Sequence, residues 1–271
     1  MTFFKDKVVI VTGSGVGIGR TVAHLLAQQG AKVVLNGRDE SKLNIALKSF
    51  PAGSQIISIV ADVSDPIQAQ MLIEKTIAHY GRLDVLVNNA GVSLNADFAK
   101  TKPEIFKKVI DANILGSVYP SMTALKYIEN TKGSIVFISS IAGFYGLPKS
   151  SAYSVSKMAL TALSQSLRME VKEKDVHIGI VYVGFTENDP EKKVLNATGE
   201  LIEVAARPAW LQMTQEETAS AILKNIQHRK KTTVLTVVGK INAVITKLFP
   251  FITEMVVMNS MKRMKNMYGD K

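Results

Sequence analysis

With 271 residues, of which 46% are apolar and 21% charged, the chain suits one large α/β domain with a buried interior and gives no sign of widespread disorder. The absence of cysteine excludes a disulfide framework and thiolate metal ligation, and the four histidines lack ligand-like spacing, so no metal site is expected. Of the net charge of +10, residues 224–271 hold +8, from ten Lys/Arg against two Asp/Glu; a solvated surface is the ordinary meaning of such a tail, with nucleic acid or anionic lipid as the rival partners.

The first residues hold only Phe3 and Phe4 before Lys5, Asp6 and Lys7, without the apolar stretch of a secretion signal, so the cytoplasm is the expected location. A strand is predicted over 8–12. Thr12-Gly13-Ser14-Gly15-Val16-Gly17-Ile18-Gly19 follows, and then a helical stretch from Arg20. Glycine lets such a turn tighten and lets its backbone approach a pyrophosphate at the helix N-terminus. A plain tight turn would also use glycine, but a strand before and a helix after form the context that a dinucleotide motif requires.

Further strands are predicted over 32–35, 56–61, 85–87, 134–139, 177–183 and 233–237. Each is short and apolar on both faces, and helical patterns separate them, which is the signature of a parallel sheet covered on both sides. Ala69, Ile73, Ile77 and Tyr80 mark one helix, ended by Gly81. Thr101 with Glu104, and Thr214 with Glu217, have capping-box spacing, so helices are expected to open at both places. The stretch 184–211 lacks a clean period and reads as a substrate lid or as an ordinary surface excursion. Nucleic-acid binding is disfavoured, because the charge is confined to the tail and no nucleic-acid module appears.

Tyr153-Ser154-Val155-Ser156-Lys157 puts a phenol and an ammonium on one helical face. Ser139 and Ser140 end the fifth strand, on the side where open α/β sheets bind ligands. Ser140 stands thirteen residues before Tyr153 and Asn113 forty before it. Together with the T-G-x-x-x-G-x-G form at Thr12–Gly19, Asp62-Val63 after the third strand and Asn88-Asn89-Ala90-Gly91 after the fourth, this order resembles the short-chain dehydrogenase/reductase family. Taken singly, Asp62 could be a helix cap and the asparagine pair a hydrogen-bonded turn.

The resemblance implies a doubly wound Rossmann-type domain over 1–240, with a mainly parallel seven-stranded sheet, helices on both faces and a substrate loop at about 184–211. Residues 241–271 would form a basic, apolar helical extension. It implies a catalytic set of Asn113, Ser140, Tyr153 and Lys157. Tyr153 would exchange a proton with the substrate oxygen, Lys157 would acidify it and hold the nicotinamide ribose, Ser140 would polarise the oxygen, and Asn113 would support a water relay. The dinucleotide would meet Gly13, Ser14, Gly15, Gly17, Ile18, Gly19, Arg38, Asp62, Val63, Asn89, Ala90 and Gly91, together with Tyr153, Lys157 and Thr186.

Cofactor choice turns on Leu35-Asn36-Gly37-Arg38, where Gly37 stands in the place of the acid common in NAD-preferring relatives. Arg38 can pair with a 2'-phosphate, which favours NADP(H) with NAD(H) as the alternative; stacking on adenine or capping a helix are its other uses. After the sixth strand the chain departs from the family, with Val183 for a proline and Asn188 for a threonine, which leaves Thr186 to contribute through backbone or hydroxyl. Phe144, Leu147, Phe185, Leu201 and Trp210 suggest a moderately hydrophobic carbonyl or secondary alcohol as substrate, although they could equally be core or subunit contacts. Family habit implies a homodimer or homotetramer. In the tail, Leu248, Phe249, Phe251 and Ile252 neighbour Lys247, Lys262, Arg263 and Lys265; packing over the pocket or on another subunit is expected, with peripheral membrane contact as the rival. The alternative function is a non-catalytic dinucleotide-binding regulatory or scaffold protein.

Overall fold

The computed structural model describes residues 2–189, 192–204 and 208–268. Its elements run β1 (Val8–Val11), α1 (Gly17–Gln28), β2 (Lys32–Gly37), α2 (Glu40–Lys48), β3 (Ile56–Val60), α3 (Pro66–Tyr80), β4 (Val85–Asn88), α4 (Pro103–Ile110), a π turn (Asp111–Leu115), α5 (Gly116–Thr131), β5 (Ser134–Ser140), α6 (Ser151–Glu170) and β6 (His177–Val183). The order continues with β7 (Lys193–Leu195), β8 (Leu201–Glu203), α7 (Gln215–Gln227), β9 (Thr232–Val234), α8 (Val237–Leu248) and α9 (Pro250–Tyr268).

Seven strands form one parallel sheet in the order β3-β2-β1-β4-β5-β6-β9. Alternate side chains serve opposite faces. Val9, Val11, Val33, Leu35 and Val87 pack with Val22 and Leu26 of α1, Leu43 of α2 and Ile222 of α7. Val8, Ile10, Val34, Leu86 and Phe137 pack with Leu72 and Ile73 of α3, Ile128 of α5 and Leu160 of α6. Burying one such side chain is worth about 1.5–3 kcal/mol, more than the ~1 kcal/mol of a helix cap, so two-faced burial is what holds the strands in place. The expected doubly wound, seven-stranded architecture is therefore what forms.

Local signals set several helix ends. Asp65 accepts from the N–H groups of Ile67 and Gln68, Pro66 opens α3, and Gly81 ends it at φ 76°. Thr214 and Glu217 make the reciprocal capping box expected of them at α7. Thr101 does not: α4 opens at Pro103 with Lys102 as its cap residue, and the Thr101 hydroxyl donates to the Asp97 carbonyl. The last strand also differs from expectation. It ends at Val234, because Thr236 turns to φ 65° and its hydroxyl caps Gly239 at the start of α8.

The stretch 184–211 carries a small antiparallel hairpin, β7–β8. Leu195 bridges to Leu94 and joins Ile105, Val109 and Ala152 in a third apolar cluster. Positions 190–191 and 205–207 of that stretch lie outside the described residues. In the tail, α8 packs on β9 and on the turn Ile141–Gly143, and α9 packs on α8. Val244, Leu248, Phe251 and Met255 are exposed there; the side chains of Lys262, Arg263 and Lys265 lie outside the described residues. Among the described residues no helix is long and apolar enough to cross a membrane.

Candidate active site

Strand order reverses between β1 and β4, and in open sheets of this kind the crevice beyond that switch point receives ligands. A cleft of about 140 Å³ opens there, lined by Gly13, Arg38, Asp62, Val63, Ala90 and Gly91 among others. Gly13 and Gly15 lie in the turn after β1, and Gly17, Ile18 and Gly19 begin α1. A side chain at position 19 would collide with the Gly13 carbonyl oxygen and the Asn89 amide, so the close approach of helix and turn depends on glycine. Asn89 fixes the same corner by donating to the carbonyls of Thr12 and Gly13 at 3.0 and 3.1 Å. The Thr12 hydroxyl receives the N–H groups of Asn89 and Ala90, each at 3.0 Å.

Ser14 is fully buried, and its hydroxyl binds the Val11 carbonyl and the Asn36 N–H. Its side chain therefore builds the turn, while its backbone lies at the corner of the cleft. Asn36 is the partner: its amide also donates to the carbonyls of Ile59 and Ala61 and so ties β2 to the end of β3. Arg38 and Asp62 face each other across the cleft at 3.4 Å. Burial raises the Asp62 carboxyl, but bonds from the Ser64 hydroxyl and N–H and the charge of Arg38 outweigh it and hold the group below its usual value.

At the other end, α6 presents Tyr153 and Lys157. The Lys157 ammonium donates to the Ile138 carbonyl at 2.8 Å and lies 5.6 Å from the centre of the Tyr153 ring. Burial lowers this ammonium to about 8, because a charge costs more away from water. Asn113 sits in the π turn with its side chain fully engaged: it accepts from the Val92 N–H at 2.7 Å and donates to the Val92 carbonyl and to Ser156. Ser156 in turn donates to the Tyr153 carbonyl, so it couples the two helices; nothing in its local sequence marks that function. A Cβ on Gly91 would lie 2.8 Å from Asn113 Oδ1 and 3.7 Å from Lys157 Nζ. Only glycine there lets those two side chains and the loop after β4 share one corner.

Of the paired serines, Ser139 is buried with its hydroxyl on the Lys157 carbonyl. Ser140 is half-buried at the end of β5, its oxygen accepting from Ala142 N–H at 3.3 Å. The geometry thus separates a structural serine from one at the mouth of the site. Thr186 is buried, and its hydroxyl pairs with Thr218 of α7 at 3.1 Å. Phe144 stacks on Tyr182 at 4.0 Å, whereas Leu201 and Trp210 stand at the surface, 63% and 82% exposed.

The family profile described as short chain dehydrogenase matches residues 7–200. An uncharacterized oxidoreductase of Staphylococcus saprophyticus is 36% identical over 190 residues, covering 69% of this chain and 81% of its own. The 11-beta-hydroxysteroid dehydrogenase A of Arachis hypogaea is 38% identical over 215 residues, covering 74% of this chain. The match spans 61% of that plant protein's length. Among solved structures, a short chain dehydrogenase/reductase from Burkholderia phymatum in complex with NAD superposes with a TM-score of 0.74 at 23% identity, covering 86% of this chain and 90% of the other. That likeness concerns the fold.

Proposed function

Because the chain belongs to the short chain dehydrogenase family, whose members are oxidoreductases acting on hydroxyl and carbonyl groups, we propose that it moves hydride between NADP(H) and a moderately hydrophobic carbonyl or secondary alcohol. The observation that carries this reading is the convergence of Asn113 and Lys157 on Gly91, with Tyr153 on the same helix face, at the end of a glycine-lined cleft. The residues fit a dinucleotide. The α1 N-terminus is tight enough for a phosphate to reach its backbone, Arg38 and Asp62 stand where a nucleoside would end, and Asn188 Oδ1 is buried with no partner among the described residues. An orphaned acceptor suits the amide hydrogens of a nicotinamide.

The bound dinucleotide supplies or receives the hydride. The rest is done by this chain. In the direction of reduction, Tyr153 gives its phenolic proton to the substrate oxygen, and Lys157 makes that loss easier by favouring the phenolate. Lys157 would also hold the nicotinamide ribose. Ser140 donates to the substrate oxygen and fixes its position, while Asn113 keeps the loop after β4 and α6 in register so that a water chain behind Lys157 can return a proton to Tyr153. The catalytic body is proposed to be residues 1–240, with 241–271 as an extension and the cytoplasm as its location. The hydroxysteroid dehydrogenase among the relatives supports an apolar substrate, and the NAD complex among the structural neighbours keeps NAD(H) as the alternative cofactor.

Arg38 provides the test of cofactor choice. Its side chain is 55% exposed beside Asp62, which lets the guanidinium turn to a 2'-phosphate. A charged hydrogen bond is worth about 1.5–3 kcal/mol, so Arg38→Ala should lower kcat/KM with NADPH about ten- to a hundredfold and leave NADH nearly unaffected. Equal losses with the two dinucleotides would refute the phosphate clamp.

The exposed apolar side chains of α8 and α9 support a contact surface between subunits of a homodimer or homotetramer, with peripheral membrane contact as the rival. Leu248→Glu combined with Phe251→Glu should lower the oligomeric state in sedimentation velocity. Unchanged sedimentation, with loss of flotation on anionic vesicles, would favour the membrane instead.

A further inference from the structure

The helix that opens on the cleft already has an anion at its head. α1 begins at Gly17, its cap residue Val16 makes no side-chain bond, and its first turn holds no acid of its own. The Gly17 N–H instead donates to Asp189 Oδ2 at 3.2 Å, and Arg20 Nη2 meets the same oxygen at 3.4 Å. Asp189 comes from 172 residues later in the chain, and its side chain is only 12% exposed. An acid from the stretch between β6 and β7 therefore sits where the unpaired N–H groups and the helix dipole would draw a dinucleotide pyrophosphate.

The root of this stretch is pinned. Met213 N–H donates to the Phe185 carbonyl at 2.8 Å, Glu187 N–H donates to the Met213 carbonyl at 2.9 Å, and Gln215 N–H donates to the Glu187 carboxylate at 2.9 Å. Asp189 lies just beyond these anchors, its carboxylate at α1 and its own carbonyl accepting from the Lys192 N–H at 2.8 Å. A carboxylate and a pyrophosphate repel one another and compete for the same N–H.

We propose that Asp189 is a tethered competitor for the cofactor pyrophosphate, which lowers dinucleotide affinity and leaves the α1 N-terminus when a dinucleotide enters. This rests on the dinucleotide reading of the cleft. Arg20 holds the carboxylate while the site lacks a nucleotide and is left facing the incoming phosphates once Asp189 leaves. The role differs from that of the clamp at Arg38, since it acts on both dinucleotides alike.

The test uses the full-length protein, titrated with NADP+ and NAD+ by calorimetry, for wild type, Asp189→Asn and Asp189→Ala. Both substitutions should tighten both dinucleotides about two- to fivefold, the range that a charge at a helix N-terminus commands. Wild type that binds dinucleotide no more weakly than either variant overturns the proposal. If neither wild type nor variant binds any dinucleotide, the cleft itself has been misread, and the competitor falls with it.

Discussion

Replacing Tyr153 by phenylalanine should lower kcat about 10²–10⁴-fold, the contribution of a positioned general acid, while leaving the affinity for dinucleotide unchanged. Tyr153 and Lys157 are one helical turn apart on α6, with the ammonium 5.6 Å from the ring centre. The substitution keeps the ring and removes only the hydroxyl, so a merely packing role for Tyr153 would leave turnover nearly intact. A wild-type protein that binds dinucleotide yet reduces none of a broad panel of steroid, acyl and aldehyde carbonyls would instead favour the silent scaffold. The pH profile adds a second reading. Lys157 is lowered to about 8 by burial, so it carries charge below that pH and loses it above. kcat/KM for the dinucleotide reports the enzyme before ligands bind, and it should fall as pH rises through about 8.

Gly19→Ala should raise the dinucleotide Kd at least about tenfold, which corresponds to ~1.4 kcal/mol, and lower the melting temperature as well. The added methyl would meet the Gly13 carbonyl, the Asn89 amide and the Ser14 Cα. Two of those three belong to backbone, so moving the Asn89 side chain alone cannot relieve the clash. Overpacking of this kind costs about 1–3 kcal/mol. The relief open to the chain is to move α1 off the turn, which spreads the N–H groups that a pyrophosphate needs close together. Calorimetry and thermal unfolding on the same preparation check both effects, and an alanine variant that binds and melts like wild type would show that the corner is looser than its geometry implies.

The sheet was legible because burial on two faces leaves a plain mark: runs such as Val8-Val9-Ile10-Val11 have no polar position to hide, and all four residues are buried. Asp65, Gly81 and Thr214 carried their ends in local chemistry, with acid, glycine and hydroxyl each meeting a need of the adjoining helix. Thr101 misled because a stronger local rule stood two residues on. Pro103 suits the first helical position and forces its predecessor to be extended, which makes Lys102 the cap. The run 233–237 read as strand from its β-branched residues, but Thr236 takes a left-handed conformation that no residue preference announces.

Within the site, residue type and order located the corner, and tertiary partners decided what each hydroxyl does. Ser14 came with the glycine motif and Thr186 with the segment where the chain departs from the family, yet Val11 and Asn36 occupy the hydroxyl of the first and Thr218 that of the second. Ser156 was invisible in the sequence because its importance comes from Asn113, forty-three residues earlier. Asp189 was hidden for the same reason, at a separation four times as large.

The strand order has a consequence for biosynthesis. β3, β2, β1 and β4 are contiguous in space and complete once residue 88 has been made, so four of the seven strands can assemble while the remainder is still being translated, as N-terminal units generally do. The outer rim of β4 then stays bare until residues 134–140 emerge to pair with it. An unprotected rim of this kind invites pairing with other nascent chains, which makes the interval between those two points the stage at which a ribosome-bound chaperone would matter most.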